Sequence, residues 1–165
     1  MKDRTLLMIP GPIEFEPAVL AALGAPTTSH LDPGFIDAFG QALQRMRQVF
    51  LCPDGQPFVL AGTGTLAMDL AGANLVEPRD KALVVNTGYF GDRFAASLER
   101  YGADVHQVSA RAVGDAPGLA AVEAALERAE FKLMTITHVD TSTAVGADAS
   151  HPLVSALPQH IDHFR

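Results

Sequence analysis

Thirteen residues, Phe58 to Leu70, hold the most chemically suggestive spacing in the chain. An apolar run, Phe58-Val59-Leu60, empties into Gly62-Thr63-Gly64-Thr65, and an amphipathic stretch with Leu66, Met68 and Leu70 follows. A strand that turns through glycines into a helix start presents unpaired backbone N–H groups and the positive end of a helix dipole. Thr63 and Thr65 add hydroxyls at the same place. Thr63, Gly64 and Thr65 are therefore candidates for a phosphate cradle, against the plainer reading of a glycine corner without a ligand.

Two more polar loops invite chemistry. In Gly88-Tyr89-Phe90-Gly91-Asp92-Arg93, an aromatic ring beside glycines at a helix start can lie against a planar cofactor; alone, such a phenylalanine is more often a core residue. His138-Val139-Asp140-Thr141-Ser142-Thr143 is a run of hydroxyls after a strand, suited to bonding a phosphate or a phenolic oxygen, or to local capping. His138 and Asp140 suggest proton transfer, although a histidine at a strand end is commonly satisfied by its neighbours. His151, His160 and His163 lack ligand spacing, so no metal site is expected. Cys52, before the turn Pro53-Asp54-Gly55, has no base near it in sequence and is not read as a nucleophile.

Gly62 to Ala67, GTGTLA, also fits the G-x-G-x-x-A pattern of dinucleotide-binding folds. That site needs an acidic residue at the end of the next strand to hold a ribose. Here the strand ends in Asn86-Thr87-Gly88, and Asp80 stands at its other end. An NAD(P)-binding Rossmann domain is therefore the weaker alternative.

These loops need elements to hold them. Leu6–Ile9 reads as a short strand stopped by Pro10-Gly11-Pro12, and Pro17 opens a brief helix ending near Gly24. Asp32-Pro33 caps a helix over 33–50, whose apolar residues Phe35, Ile36, Phe39, Leu43, Met46 and Phe50 recur at helical spacing. Strands at 57–60, 82–86, 104–108 and 133–137 then alternate with helices at 64–76, 90–101 and 118–129. This alternation implies an α/β fold with a mostly parallel sheet. Ligands in such sheets gather at the carboxyl ends of the strands, where all three polar loops fall. The last twenty residues carry no sustained period and leave the sheet interrupted.

Bulk properties narrow the class. Hydrophobic residues at 48% against 19% charged favour a packed core over disorder. A formal charge of −7 without a basic patch disfavours nucleic acid and anionic membrane surfaces. No apolar run is long enough to span a bilayer, the first residues lack a signal-like core, and a lone cysteine suits a reducing compartment. A soluble intracellular protein is expected.

Taken in order, four segments resemble the class V aminotransferases of the pyridoxal-phosphate fold-type I group. The likeness is to the alanine–glyoxylate (serine–pyruvate) aminotransferases, particularly fungal-looking members. They are Ile9-Pro10-Gly11-Pro12, Pro57 to Leu66, Thr87 to Phe94 and Thr137 to Thr143. The resemblance implies an α/β, incomplete large domain of that fold over residues 1–145, with an atypical tail at 146–165. It implies pyridoxal 5'-phosphate as cofactor. Thr63, Gly64 and Thr65 would hold its phosphate, Phe90 would stack on its ring, and Ser142 would contact it from the third loop. Gly11 would line the substrate pocket. The family reaction moves an amino group from alanine or serine to glyoxylate, giving glycine, in a homodimer that is cytoplasmic, peroxisomal or mitochondrial.

The resemblance also implies groups this sequence lacks. The family uses a lysine to attach the cofactor and move the proton, and a carboxylate to keep the pyridine nitrogen protonated. Both lie beyond the Ser142 loop, and a substrate-gripping arginine lies in a further domain. Lys2, Lys81 and Lys132 are the lysines present, the last two expected at the edge opposite the loops. The expectation is a truncated chain, inactive alone, with no catalytic residue assigned and an unpaired sheet edge favouring association. The alternative is a non-catalytic remnant that binds phosphate or cofactor, or pairs with a full-length subunit.

Overall fold

The computed structural model describes residues 6–147. The chain divides into two compact units, Met1–Ala61 and Gly62–Arg165. In the first unit, α1 (Pro17–Leu23) and α2 (Pro33–Val49) form where the sequence places them. Asp32 caps α2 by accepting from the Phe35 amide at 3.0 Å, with Pro33 at the first helical position. Phe35 and Phe39, one turn apart, stack with ring centroids 6.2 Å apart.

Two expected strands are absent from this unit. Leu6–Ile9 and 57–60 form no strand among the described residues. An apolar run becomes a strand only when a second strand pairs with it, and prolines at 10, 12 and 57 remove amide donors at the margins of both runs.

The second unit carries the predicted alternation. Its elements are α3 (Gly64–Leu75), β1 (Lys81–Asn86), α4 (Tyr89–Arg100), β2 (Asp104–Ser109), α5 (Leu119–Leu126) and β3 (Leu133–Ile136), then the short β4 (Val139–Asp140) and β5 (Val145–Gly146). The order β2-β1-β3 is parallel throughout, with Lys81 opposite Asp104 and Ala82 opposite Leu133. α5 is shorter than its apolar pattern, because the chain turns beyond it to bring Phe131 into the core.

β1 is the central strand and is buried on both faces, as parallel strands are. Ala82 and Val84 pack with Ala95 and Leu98 of α4 on one face. Leu83 and Val85 pack with Val122 and Leu126 of α5, and with Phe131, on the other. From β1 the chain reaches β2 through α4, then returns past β1 to β3 through α5. β1 and β3 therefore flank the point where the strand order reverses, which is where open α/β sheets bind ligands at their carboxyl ends. No described helix is long and apolar enough to cross a membrane.

Candidate functional site at the carboxyl edge of the sheet

The edge above β1 begins with a knot around Asn86. Its Nδ2 donates to Asp92 Oδ1 at 2.7 Å and to Gln107 Oε1 at 2.8 Å, while its Oδ1 accepts from the Gly88 amide at 3.0 Å. One amide thus joins the end of β1 to the first turn of α4 and to β2. Gly91 must be glycine here, since a Cβ would fall on the Asn86 side chain.

The third loop is a tight ribbon rather than an open connection. β4 and β5 pair antiparallel, Asp140 opposite Val145, and the turn between them leans on the start of α4. Asp140 is 0% exposed. Its Oδ2 accepts from the Phe90 amide at 3.1 Å, and its Oδ1 accepts from the Ser142 amide at 3.1 Å and the Ser142 hydroxyl at 2.6 Å. Ser142 Oγ in turn accepts from the Tyr89 amide at 3.0 Å, and Thr143 Oγ1 donates to the Thr87 carbonyl at 2.8 Å. A buried carboxylate is tolerable when several donors meet it, and a helix N-terminus is favourable ground for one. The contact is close: a Cβ on Gly88 would stand 2.7 Å from Thr143 Cγ2 and 2.8 Å from Ser142 Oγ.

α3 reaches the same edge. Ser97 Oγ of α4 donates to Asp69 Oδ1 of α3 at 2.9 Å, and a Cβ on Gly72 would meet the Tyr101 ring at 2.7 Å. Three residues along α3 match four along α4, so the helices run parallel with their N-termini at one end. α4 projects about one turn, roughly 5 Å, beyond the start of α3.

The two N-termini differ chemically. That of α4 is filled by the Asp140 carboxylate and the Ser142 hydroxyl. Thr63 caps α3, its Oγ1 accepting from the Leu66 amide at 3.2 Å. Nothing lies within 4 Å of a Cβ built on Gly64, and Thr65 is exposed. The Gly64 and Thr65 amides have no acceptor among the described residues, so α3 offers the open anion-binding end. Gly62 gives the corner its room, because a Cβ there would strike Leu66. Beside this edge, Thr87 is 4% exposed and its hydroxyl is the one buried side-chain polar atom without a partner among the described residues.

No family model matches the chain. Over 153 residues it is 42% identical to alanine–glyoxylate aminotransferase 1 of Saccharomyces cerevisiae, covering 89% of this chain and 40% of that protein. The chain is a homologue of the alanine–glyoxylate aminotransferases. The enzyme of that name from Rattus norvegicus is 34% identical over 142 residues, 86% of this chain and 34% of its own length. The crystal structure of the Nostoc alanine–glyoxylate aminotransferase superposes with a TM-score of 0.78 at 35% identity, covering 86% of this chain and 37% of that one. The chain therefore spans about two-fifths of the length of the relatives it matches, and its fold is the corresponding part of the pyridoxal-phosphate-dependent aminotransferase fold.

Of the residues singled out in the sequence, Phe90 and Ser142 stand on adjoining segments joined through Asp140. Phe90 is half-buried and meets Tyr89 edge-on, with centroids 5.3 Å apart. Thr63, Gly64 and Thr65 stand at the open start of α3 on the same edge. Gly11 belongs to the first unit and is not among the residues the second unit brings together. His138 bonds the Ala147 carbonyl through Nδ1 at 2.7 Å, the structural role expected of a strand-end histidine. Lys81 opens β1 and Lys132 precedes β3, and the Lys132 amide donates to the Lys81 carbonyl at 2.9 Å. Both lysines are thus at the amino edge. Lys2, His151, His160, His163 and the tail from residue 148 lie outside the described residues. The Asn86 knot was missed, since an asparagine closing an apolar strand gives no signal of a three-way tie.

Proposed function

We propose that this chain is the cofactor-orienting N-terminal part, over residues 1–145, of an alanine–glyoxylate-type transaminase large domain. The observation that carries the reading is one edge bearing an open helix N-terminus at α3 and, one turn higher, an aromatic and a hydroxyl locked together at α4. The site fits a group with a phosphate at one end and a planar ring at the other. The open space over Gly64 and the unpartnered Thr87 hydroxyl leave room and a polar partner for it. Pyridoxal 5'-phosphate is such a group, and when bound it serves as an electron sink for amino-acid chemistry.

In this reading the Gly64 and Thr65 amides and the Thr63 and Thr65 hydroxyls hold the phosphate, Phe90 covers a ring face, and Ser142 meets the ring's polar margin. Gly11 contributes to the substrate pocket. The substrates are a small amino acid and a 2-oxo acid, with glyoxylate as acceptor. The working protein is a homodimer in the cytoplasm, peroxisome or mitochondrion. Alone, the chain binds and does not react, because its described lysines stand at the opposite edge; it can still pair with a full-length subunit.

The test is an absorbance titration of the purified chain with pyridoxal 5'-phosphate, then borohydride reduction and mass mapping. Saturable binding that inorganic phosphate displaces, without a specific lysine adduct, is the expected outcome. Binding no tighter than that of inorganic phosphate overturns the cofactor reading. A specific adduct on Lys81 or Lys132 overturns the assignment of the chain as inert alone.

A further inference from the structure

We infer that Asp140 is a positioning residue for the ring end of this site. Its carboxylate holds the backbone at Phe90 and the hydroxyl of Ser142 in one fixed arrangement, and it makes Ser142 an acceptor toward a ligand. The inference rests on the cofactor reading above for its ligand, although the clamp itself is a property of the protein.

The geometry carries the argument. Asp140 uses both oxygens as acceptors and is fully buried, meeting the Phe90 amide on one side and the Ser142 amide and hydroxyl on the other. The Ser142 proton is committed to Asp140 at 2.6 Å, and one of its lone pairs takes the Tyr89 amide at 3.0 Å. One lone pair remains. Ser142 can therefore receive a hydrogen bond from a ligand N–H or O–H, or from a bridging water, but cannot donate one while Asp140 holds it. Tyr89 and Phe90 are first-turn residues, whose amides have no partner within a helix. The third loop supplies both partners, which fixes the direction in which α4 starts and with it the Phe90 ring.

Asparagine is the discriminating substitution, because it keeps the shape and loses one acceptor. Either orientation of its amide sets an NH2 group against a backbone N–H, at Phe90 or at Ser142. The clamp opens on one side with little change in volume.

The experiment compares the full 165-residue chain with Asp140→Asn by hydrogen exchange of assigned amides. It also measures affinity for pyridoxal 5'-phosphate relative to inorganic phosphate, and the induced circular dichroism of the bound ring. Slow exchange at Phe90 and Ser142 in the parent is expected to accelerate about tenfold or more at one of them in the variant. The preference for pyridoxal phosphate falls about tenfold and the induced band weakens, while inorganic phosphate, held at α3, binds as before. Unchanged exchange overturns the clamp. Altered exchange with an unchanged preference and band overturns its role at the ring. A parent without preference for pyridoxal phosphate sinks the cofactor reading, and with it the ring role, while exchange still decides the clamp. Should Asp140→Asn fail to fold, Ser142→Ala takes its place. It is expected to expose the Tyr89 amide, leave Phe90 slow and reduce the preference about threefold; equal acceleration at Phe90, or an unchanged preference, overturns the proposal.

Discussion

Gly88→Ala tests how tightly the third loop is seated on α4. The added Cβ would stand 2.7 Å from Thr143 Cγ2, 2.8 Å from Ser142 Oγ and 3.0 Å from Asp140 Cγ. All three neighbours lie on one short turn, so the protein has two responses. It can keep the turn in place and absorb the overlap, at the roughly 1–3 kcal/mol typical of overpacking. Or it can let the turn swing away, losing the Phe90–Asp140, Tyr89–Ser142 and Thr143–Thr87 bonds. One of these is charge-assisted, at about 1.5–3 kcal/mol, and two are neutral, at about 1 kcal/mol each. The cheaper route decides the outcome, so a loss of about 2–3 kcal/mol is expected. For a unit of this size that is on the order of 15 °C in melting temperature. Urea unfolding gives the free energy, and amide exchange at Phe90 tells whether the turn stayed. A loss below about 0.5 kcal/mol with Phe90 exchange unchanged would refute the close seating from which the site has been built.

Other substitutions separate fold from binding. Thr63→Ala removes the α3 cap and should cost about 1 kcal/mol in urea unfolding, with Thr63→Ser restoring it. Gly64→Ala meets open space, so stability should stay within about 1 kcal/mol of the parent, while phosphate affinity, read by calorimetry, falls because the anion loses its close approach to the helix start. An unchanged affinity there would move the anion elsewhere. Gly91→Ala drives a methyl into Asn86 and should cost about 2–3 kcal/mol, more than Gly64→Ala by a margin that thermal melts resolve.

The alternation of strands and helices was legible in the second unit because each strand there has a neighbour. Lys81–Asn86 is apolar along its whole length, and burial on both faces is what that pattern means. The runs at 6–9 and 57–60 have similar composition and no pairing partner among the described residues, and composition cannot reveal that. The three polar loops were legible because parallel topology sends every βα turn to one edge. What they do there was less so. Ser142 was read as a ligand contact or a local cap; it spends its proton on Asp140 two residues away, and one lone pair on the distant Tyr89 amide. Pairings between residues some fifty positions apart leave no periodicity in the chain.

The placement of the lysines divides binding from reaction. Lys81 begins β1 and Asn86 ends it, a separation of about 17 Å along an extended strand, and Lys132 is level with Lys81 on the adjacent strand. No lysine side chain crosses that distance over a strand buried on both faces. In the proposed reading the edge bearing Thr63, Phe90 and Ser142 holds and orients a phosphate-bearing ring, while the described residues bring no lysine amine to it. More than half of the yeast homologue lies outside the matched region, so a full-length relative has chain to supply one. The two tasks should then separate in solution. A chain like this one should bind pyridoxal 5'-phosphate reversibly and release it on dialysis even after borohydride.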